Sequence, residues 1–332
     1  MNGKIVTLGE IMMRLSCPDQ GRFLQAQQFD VLYAGSEANI AAALSLWGVD
    51  ACHVTALPDH DLGKAASSSL KQYGVDTSRI VFADGRLGVY FLEHGASIRS
   101  PKIIYDRFDS VFATCSPDAY DWDAILEGAT WFHWSGITPA ISANAARACR
   151  EAVIMARKKG LTVSGDINYR RNLWQYGKTP QEIMPELIEH CDVIVAGVTD
   201  LENCAGITGS SFEDACRKTG ARFPNVRTII TTERETISAS HNKLKGILWD
   251  GKQLVSSPEY DINPIVDRVG AGDAFMAGFV YATMKGADPT YIITFATAAG
   301  ALKHTVEGDV NVVSVDEVEN IVAGKHVGKL LR

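Results

Sequence analysis

Asp267-Arg268-Val269-Gly270-Ala271-Gly272-Asp273-Ala274-Phe275-Met276-Ala277-Gly278-Phe279-Val280-Tyr281-Ala282-Thr283-Met284 is the stretch on which the reading of the chain turns. Gly270 and Gly272 bracket a tight turn, Asp273 follows at once, and the remainder is an apolar, proline-free run that reads as a buried helix. A glycine turn that opens a helix leaves backbone N–H groups unpaired and pointing one way, and the helix dipole adds to their pull on an anion. Asp273 then has two readings. It is a first-turn carboxylate that serves the helix, or an acid–base group held beside an anion cradle. The stretch alone leaves both open.

Composition bounds the alternatives. The chain has 332 residues, 46% hydrophobic and 21% charged, enough for one large α/β domain with a full core. The net charge is −7, with no basic tail or Lys/Arg stripe, which argues against nucleic acid as a partner. The seven cysteines are scattered, odd in number and free of any Cys-x-x-Cys pair, as expected of reduced cytoplasmic thiols. No run reaches the roughly 18 apolar residues of a membrane span, so no membrane partner is expected. Lys4 to Glu10 reads as a strand with no signal peptide before it.

Outward from the glycine turn, strand and helix patterns alternate. Strands are expected over Ile5 to Gly9, Ala51 to Leu57, Thr130 to Ser135, Leu161 to Asp166, Asp192 to Ala196 and Arg227 to Thr232. Between them lie helical segments: one from a Ser36 cap to Trp47, then Leu62 to Tyr73, Ser142 to Lys159, Pro180 to His190 and Phe212 to Gly220. Two more follow the opening stretch, Tyr291 to His304 and Val315 to Ala323, and Asp250-Gly251 marks a hairpin. Such alternation implies a largely parallel sheet covered on both faces. Residues 79 to 113 break it with short strand-like runs at Ile80 to Ala83, Gly88 to Glu93 and Lys102 to Tyr105, and Phe23 to Tyr33 reads as an edge strand. These predict a small separate sheet, a flap on the main layer.

Three polar clusters accompany Asp273. Gly35, Ser36 and Asn39 combine a glycine that admits a ligand to the backbone with an Asn on the first helical turn. Tyr105 and Arg107 stand two apart, so a strand aims them at one face, and an Arg fork with a phenol suits a carboxylate. Tyr90 lies in the same β-rich region. Asn168, Arg170 and Arg171 follow a strand end, where parallel sheets bind ligands, and a pair of arginines at a helix start opposes the dipole unless it serves an anion. No Gly-x4-Gly-Lys-Ser/Thr loop, dinucleotide fingerprint, Gly-x-Ser-x-Gly elbow or His-Glu-x-x-His is present.

Taken together, the segments resemble the ribokinase-like sugar and nucleoside kinases over nearly the whole chain. Gly-Ala-Gly-Asp within 267–279 is the more specific of the two family signatures. Tyr90-Phe91-Leu92-Glu93, Tyr105-Asp106-Arg107, Asp166-Ile167-Asn168-Tyr169-Arg170-Arg171-Asn172-Leu173-Trp174, Ser238 to His241 and Pro264 to Val269 look closer to the 2-keto-3-deoxygluconate kinases. The resemblance implies a single domain over 1–332, a three-layer α/β/α sandwich with a small β-sheet lid formed by parts of about 11–34 and 79–113. It implies transfer of the ATP γ-phosphoryl group to the C6 hydroxyl of an acid sugar, with Mg²⁺ and in some members a monovalent cation, by a cytoplasmic homo-oligomer. Asp273 would be the base, and the amides of Gly270, Ala271 and Gly272 would stabilise the transferred group and bind nucleotide. Gly35, Ser36, Asn39, Tyr90, Tyr105, Arg107, Asn168 and Arg170 would contact substrate, and Thr232 falls in the nucleotide region. The family's Asn-x-x-Glu metal motif is replaced here by Gly197-Val198-Thr199-Asp200, leaving Asp200 as the candidate metal ligand. A neutral-sugar kinase and a weakly catalytic sugar-binding homologue share the same motifs.

Overall fold

The main strands are short apolar runs with no polar face, so each side of the sheet they form needs a helical cover. A computed structural model describes residues 3–325. Its strands in chain order are β1 (Lys4–Leu8), β2 (Met12–Ser16), β3 (Asp30–Ala34), β4 (Asp50–Val54), β5 (Ala56–Pro58), β6 (Val81–Ala83), β7 (Gly88–Glu93), β8 (Lys102–Asp106), β9 (Ala129–Ser135), β10 (Thr162–Asp166), β11 (Val193–Val195), β12 (Thr228–Ser238), β13 (His241–Trp249), β14 (Leu254–Ser256) and β15 (Tyr260–Ile262). Nine of them make one sheet in the order β14-β13-β12-β11-β10-β9-β1-β4, with β15 also paired to β13. From β4 to β12 the pairing is parallel, and it turns antiparallel at β13.

Alternating side chains feed two cores. Val6, Leu8, Phe132 and Trp134 pack on one face under the Ala143–Lys158, Pro180–Glu189, Val198–Ala205 and Phe212–Arg222 helices. Ile5 and Trp131 point to the other face, under the Ser36–Leu46, Ala271–Met284 and Pro289–Lys303 helices. This is a three-layer α/β/α sandwich. The Ala271–Met284 helix is apolar nearly all round and buried along most of its length, as such a helix must be. Close packing on the Pro289–Lys303 helix brings the backbones together: a Cβ at Gly278 would lie 2.8 Å from the Ala296 Cα.

A four-stranded sheet, β3-β2-β7-β8, stands apart from the nine. Its makeup corrects three expectations. The segment at Ile80 to Ala83 is not part of it, because β6 pairs with β5 in a separate two-stranded ribbon. The edge strand begins at Asp30 rather than Phe23, since residues 22–26 close turns on themselves. Ala51 to Leu57 is broken at Thr55, where the chain leaves β1 to pair with β6. Two further corrections concern helix starts. Gly35, in extended conformation, is the N-cap and Ser36 the first helical residue. No helix begins at Arg170-Arg171, which lie in a turn before the Pro180–Glu189 helix.

Gly278→Ala tests the helix contact. Helix propensity alone favours Ala by about 1 kcal/mol. Overpacking against Ala296 should outweigh it and destabilise the protein by about 1–3 kcal/mol. Urea unfolding reads the sign, and a stabilised variant would contradict the packing described.

Candidate active site

The strand ends of the large sheet, the small sheet and the first turn of the Ala271–Met284 helix enclose a cavity of about 450 Å³. That size suits a small ligand. β1 brings Glu10 to it, β10 brings Asp166 and Asn168, and β3 runs directly into Gly35 and the Ser36–Leu46 helix. Gly35, Ser36, Asn39, Tyr90, Tyr105, Arg107, Asn168, Arg170, Gly270, Ala271, Gly272 and Asp273 all line this one cavity, although they come from four distant parts of the sequence.

Gly270 sits at φ +81° as the N-cap of the Ala271–Met284 helix. Its Cα abuts the backbone of Asp309 so closely that a Cβ would lie 1.9 Å from the Asp309 carbonyl oxygen. Only glycine meets both the left-handed conformation and the contact. The first helical hydrogen bond runs from Ala274 N–H to Gly270 C=O, which leaves the amides of Ala271, Gly272 and Asp273 without an intrahelical acceptor.

Asp273 is fixed on both oxygens. Ser36 Oγ donates to Oδ1 and Asn39 Nδ2 to Oδ2, each at 2.7 Å. Ser36 is therefore free of the capping task the sequence suggested, and its hydroxyl serves the carboxylate across the cavity. Removal from water, with a smaller contribution from the Asp309 charge, raises the Asp273 pKa to about 6 against the pull of those two donors.

Two other carboxyls at the floor are raised. Asp166 moves to about 8, first through desolvation and then through the neighbouring Asp200 and Asp273 charges. Burial raises Glu37 to about 7, although Ser135 Oγ donates to its Oε1 at 2.6 Å. Asn168 beside Asp166 has φ +40°, a strained conformation for a residue with a side chain.

The expected fork of Arg107 is already engaged. Its Nε and Nη2 both donate to Glu10 Oε2, and Ser110 Oγ donates to Oε1 of the same carboxylate. A protein carboxylate thus holds the position assigned to a ligand's carboxylate. Tyr90 is engaged too, its hydroxyl donating to Asp309 Oδ2. Tyr105 is half-exposed, its ring centroid 5.8 Å from that of Tyr90 and 5.8 Å from the Arg107 Cζ. Arg170 is exposed and donates to the carbonyl of Tyr169 at 3.2 Å. Arg268 donates to the Ala239 carbonyl at 2.7 Å.

Asp200 accepts from Gly197 N–H at 2.8 Å and from Tyr169 N–H at 3.2 Å, so both oxygens serve the backbone. Among the described residues, no three His, Cys, Asp or Glu side chains are grouped as a metal site. Thr232 lies in β12 opposite Gly246 and is not among the described residues lining the cavity. Glu10, Glu37, Asp166, Arg234, Arg268 and Asp309 line it without having been singled out. Position at or just past a strand end was a usable signal for Asp166 and Glu10. Arg234 was hidden because β12 runs six residues beyond its expected end, and nothing local marks Asp309.

A model of the pfkB family carbohydrate kinases matches residues 2–315. A 2-dehydro-3-deoxygalactonokinase of Haloferax volcanii is 32% identical over 328 residues, 99% of each chain. A 2-dehydro-3-deoxygluconokinase of Bacillus subtilis is 26% identical over 308 residues, 92% of this chain and 91% of that protein. The solved structure of a 2-dehydro-3-deoxygluconokinase from Thermotoga maritima superposes with a TM-score of 0.93 at 41% identity, covering 97% of this chain and all of the other. No helix among the described residues is long and apolar enough to cross a membrane.

The raised Asp166 carboxyl gives a test that needs no ligand. Its folded pKa of about 8 exceeds the ordinary 3.8, so the folded state holds the proton more tightly than the unfolded chain. This contribution to stability is full at low pH and is lost as pH rises through that window. Asp166→Asn should therefore melt near the parent at pH 4 and progressively above it towards pH 8. A difference that does not change with pH would contradict the environment described.

Proposed function

The chain belongs to the pfkB family of carbohydrate kinases, and from that premise we propose that it transfers the γ-phosphoryl group of ATP to the C6 hydroxyl of 2-keto-3-deoxygluconate or its C4 epimer. The observation that carries the reading is Asp273, held on both oxygens at the mouth of a glycine-turned helix. With a pKa of about 6 it is mainly ionised at neutral pH yet still basic enough to take a proton from an alcohol in the transition state. The amides of Ala271 and Gly272 face the position of the transferred phosphoryl group and offset its growing charge.

Substrate choice rests on the guanidinium groups. A neutral hexose gives a buried or cavity-facing cation nothing to pair with, whereas a 2-keto acid presents a carboxylate. Because Arg107 is paired with Glu10, the carboxylate falls to Arg170, assisted by the Tyr105 hydroxyl. Gly35 and Asn168 lie along the sugar chain, and Arg107 orders the wall through Glu10. The relatives named for 2-dehydro-3-deoxy acid sugars support this choice.

Asp166, which lines the cavity, would hold Mg²⁺, with Asp200 behind it reaching the ion through water because both its oxygens already accept from backbone N–H groups. Hard carboxylate oxygens suit the ion, and Mg²⁺ needs only one or two such groups beside phosphate and water. When bound, the ion supplies charge neutralisation on the phosphates. The four-stranded sheet is read as a lid over the sugar. Its outer row, Val31, Leu15, Phe91 and Ile104, lies side by side in register, and Val31 and Ile104 are 52% and 45% exposed. We read it as the contact between copies in a cytoplasmic homo-oligomer.

Asp273→Asn should lower kcat by about 10²–10⁴-fold with little change in sugar binding. In the parent enzyme, kcat/KM should fall as pH drops below about 6, tracking protonation of the base. Coupled assays with 2-keto-3-deoxygluconate, 2-keto-3-deoxygalactonate, fructose and ribose decide the substrate. A neutral sugar turned over far better than both acids would overturn the choice.

Ile104→Glu places a charge in the apolar outer row and should dissociate the oligomer. Light scattering after gel filtration reads the mass directly, and an unchanged mass would remove this face as the contact.

A further inference from the structure

Arg14 is a buried cation to which the reaction assigns no part. Arg14 comes from β2 of the small sheet, and its side chain is 1% exposed. It is among the largest fully buried side chains of the chain. Its Nη1 donates to Asp309 Oδ1 and its Nη2 to Asp267 Oδ2, the latter at 2.6 Å, while Nε donates to Ser16 Oγ at 2.6 Å. One guanidinium therefore joins two segments that are far apart in sequence. Burying such a charge is costly, and the two carboxylates, which also face the buried Lys303, offset that cost.

Both segments hold the glycine turn. Asp267 Oδ1 accepts from Val269 N–H at 3.0 Å, immediately before Gly270. Asp267 Oδ2 accepts from Gly308 N–H at 3.2 Å, which ties the turn to the loop carrying Asp309. The Asp309 carbonyl is the group packed against the Gly270 Cα. Tyr90, from β7 of the small sheet, donates to the other oxygen of Asp309. Two strands of the small sheet thus reach, through Arg14 and Tyr90, the two segments between which Gly270 is clamped.

We infer that Arg14 is a positioning residue for phosphoryl transfer: it sets the orientation of the Gly270–Gly272 amides and couples that orientation to the seating of the small sheet. The inference rests on the kinase reading for its kinetic consequence, but its structural content does not. A compact ammonium lacks the planar fork whose three nitrogens reach Ser16, Asp309 and Asp267 at once, so Arg14→Lys keeps the charge and loses the geometry.

The experiment uses the full chain with Arg14→Lys and Arg14→Met, and two readouts. Amide hydrogen exchange should rise about tenfold or more in peptides covering 267–273 and 306–310 while peptides from β9 and the Ala143–Lys158 helix stay at parental rates. Turnover should fall by about 10–10²-fold with the dissociation constant of the sugar, measured by calorimetry without ATP, unchanged. If Arg14→Met does not fold, Arg14→Lys carries the test alone. Exchange that rises uniformly, or not at all, overturns the positioning role, as does a loss of turnover fully matched by lost sugar affinity. A parent enzyme that phosphorylates neither acid sugar would count against the proposed function, and the exchange pattern would still decide the role of Arg14.

Discussion

The contact between the Gly270 Cα and the Asp309 carbonyl fixes the rest of the site. It allows no side chain at 270, holds φ at +81°, and so determines where the Ala271–Met284 helix begins. The direction of that helix is set by its burial between the large sheet and the Pro289–Lys303 helix. Start and direction together decide where the unpaired amides point and how far Asp273 projects into the cavity. A shift of one residue in the start would turn Asp273 about a quarter of a revolution or more away from Ser36 and Asn39.

The charged groups around this helix start fall into two sets with different physics. Glu10 with Arg107, and Asp267 and Asp309 with Arg14, are carboxylates in direct ion pairs with buried guanidiniums, and the buried Lys303 adds its charge near the last two. Removing one partner from such a pair typically costs about 3–5 kcal/mol, so these pairs hold geometry. Glu37, Asp166 and Asp273 have no such partner, and desolvation lifts all three. Groups in that state favour proton transfer or cation binding at neutral pH, because they are unstable as isolated anions. The cavity thus separates carboxylates in direct arginine ion pairs from carboxyls that have none.

How much of this the sequence carried depends on whether the determining contact was local. The alternation of strands and helices and the glycine turn follow from periodicity and from glycine, which act within a few residues. Of the small sheet the same signals give β7, β8 and part of β3, while β2 carries no reading of its own. The Asn39–Asp273 and Ser36–Asp273 bonds bridge more than two hundred positions, and the resemblance, rather than any pattern, brought those residues together. Ser36 was misread as a cap because an N-terminal serine ordinarily caps; the extended Gly35 took that place and freed the hydroxyl. Arg14 and Asp309 were invisible for the same reason. An arginine ordinarily reads as solvent-facing, and only the contact of the small sheet with the 308–309 loop buries it.

Arg107 shows why residue type at the right place is not yet a role. Its spacing from Tyr105 correctly aimed it at the cavity, but Glu10, arriving from β1, takes two donors of its fork. A ligand carboxylate at the same fork would meet the Glu10 charge as well as the guanidinium, and the net attraction would be small. Arg170, like Arg268, gives its hydrogen bond to a carbonyl and lies in no direct ion pair among the described residues. On the proposed reading, an anionic sugar would be met by the cavity arginines that the fold leaves outside its own ion pairs, Arg170 with Arg234 and Arg268, while the better buried Arg107 shapes the wall.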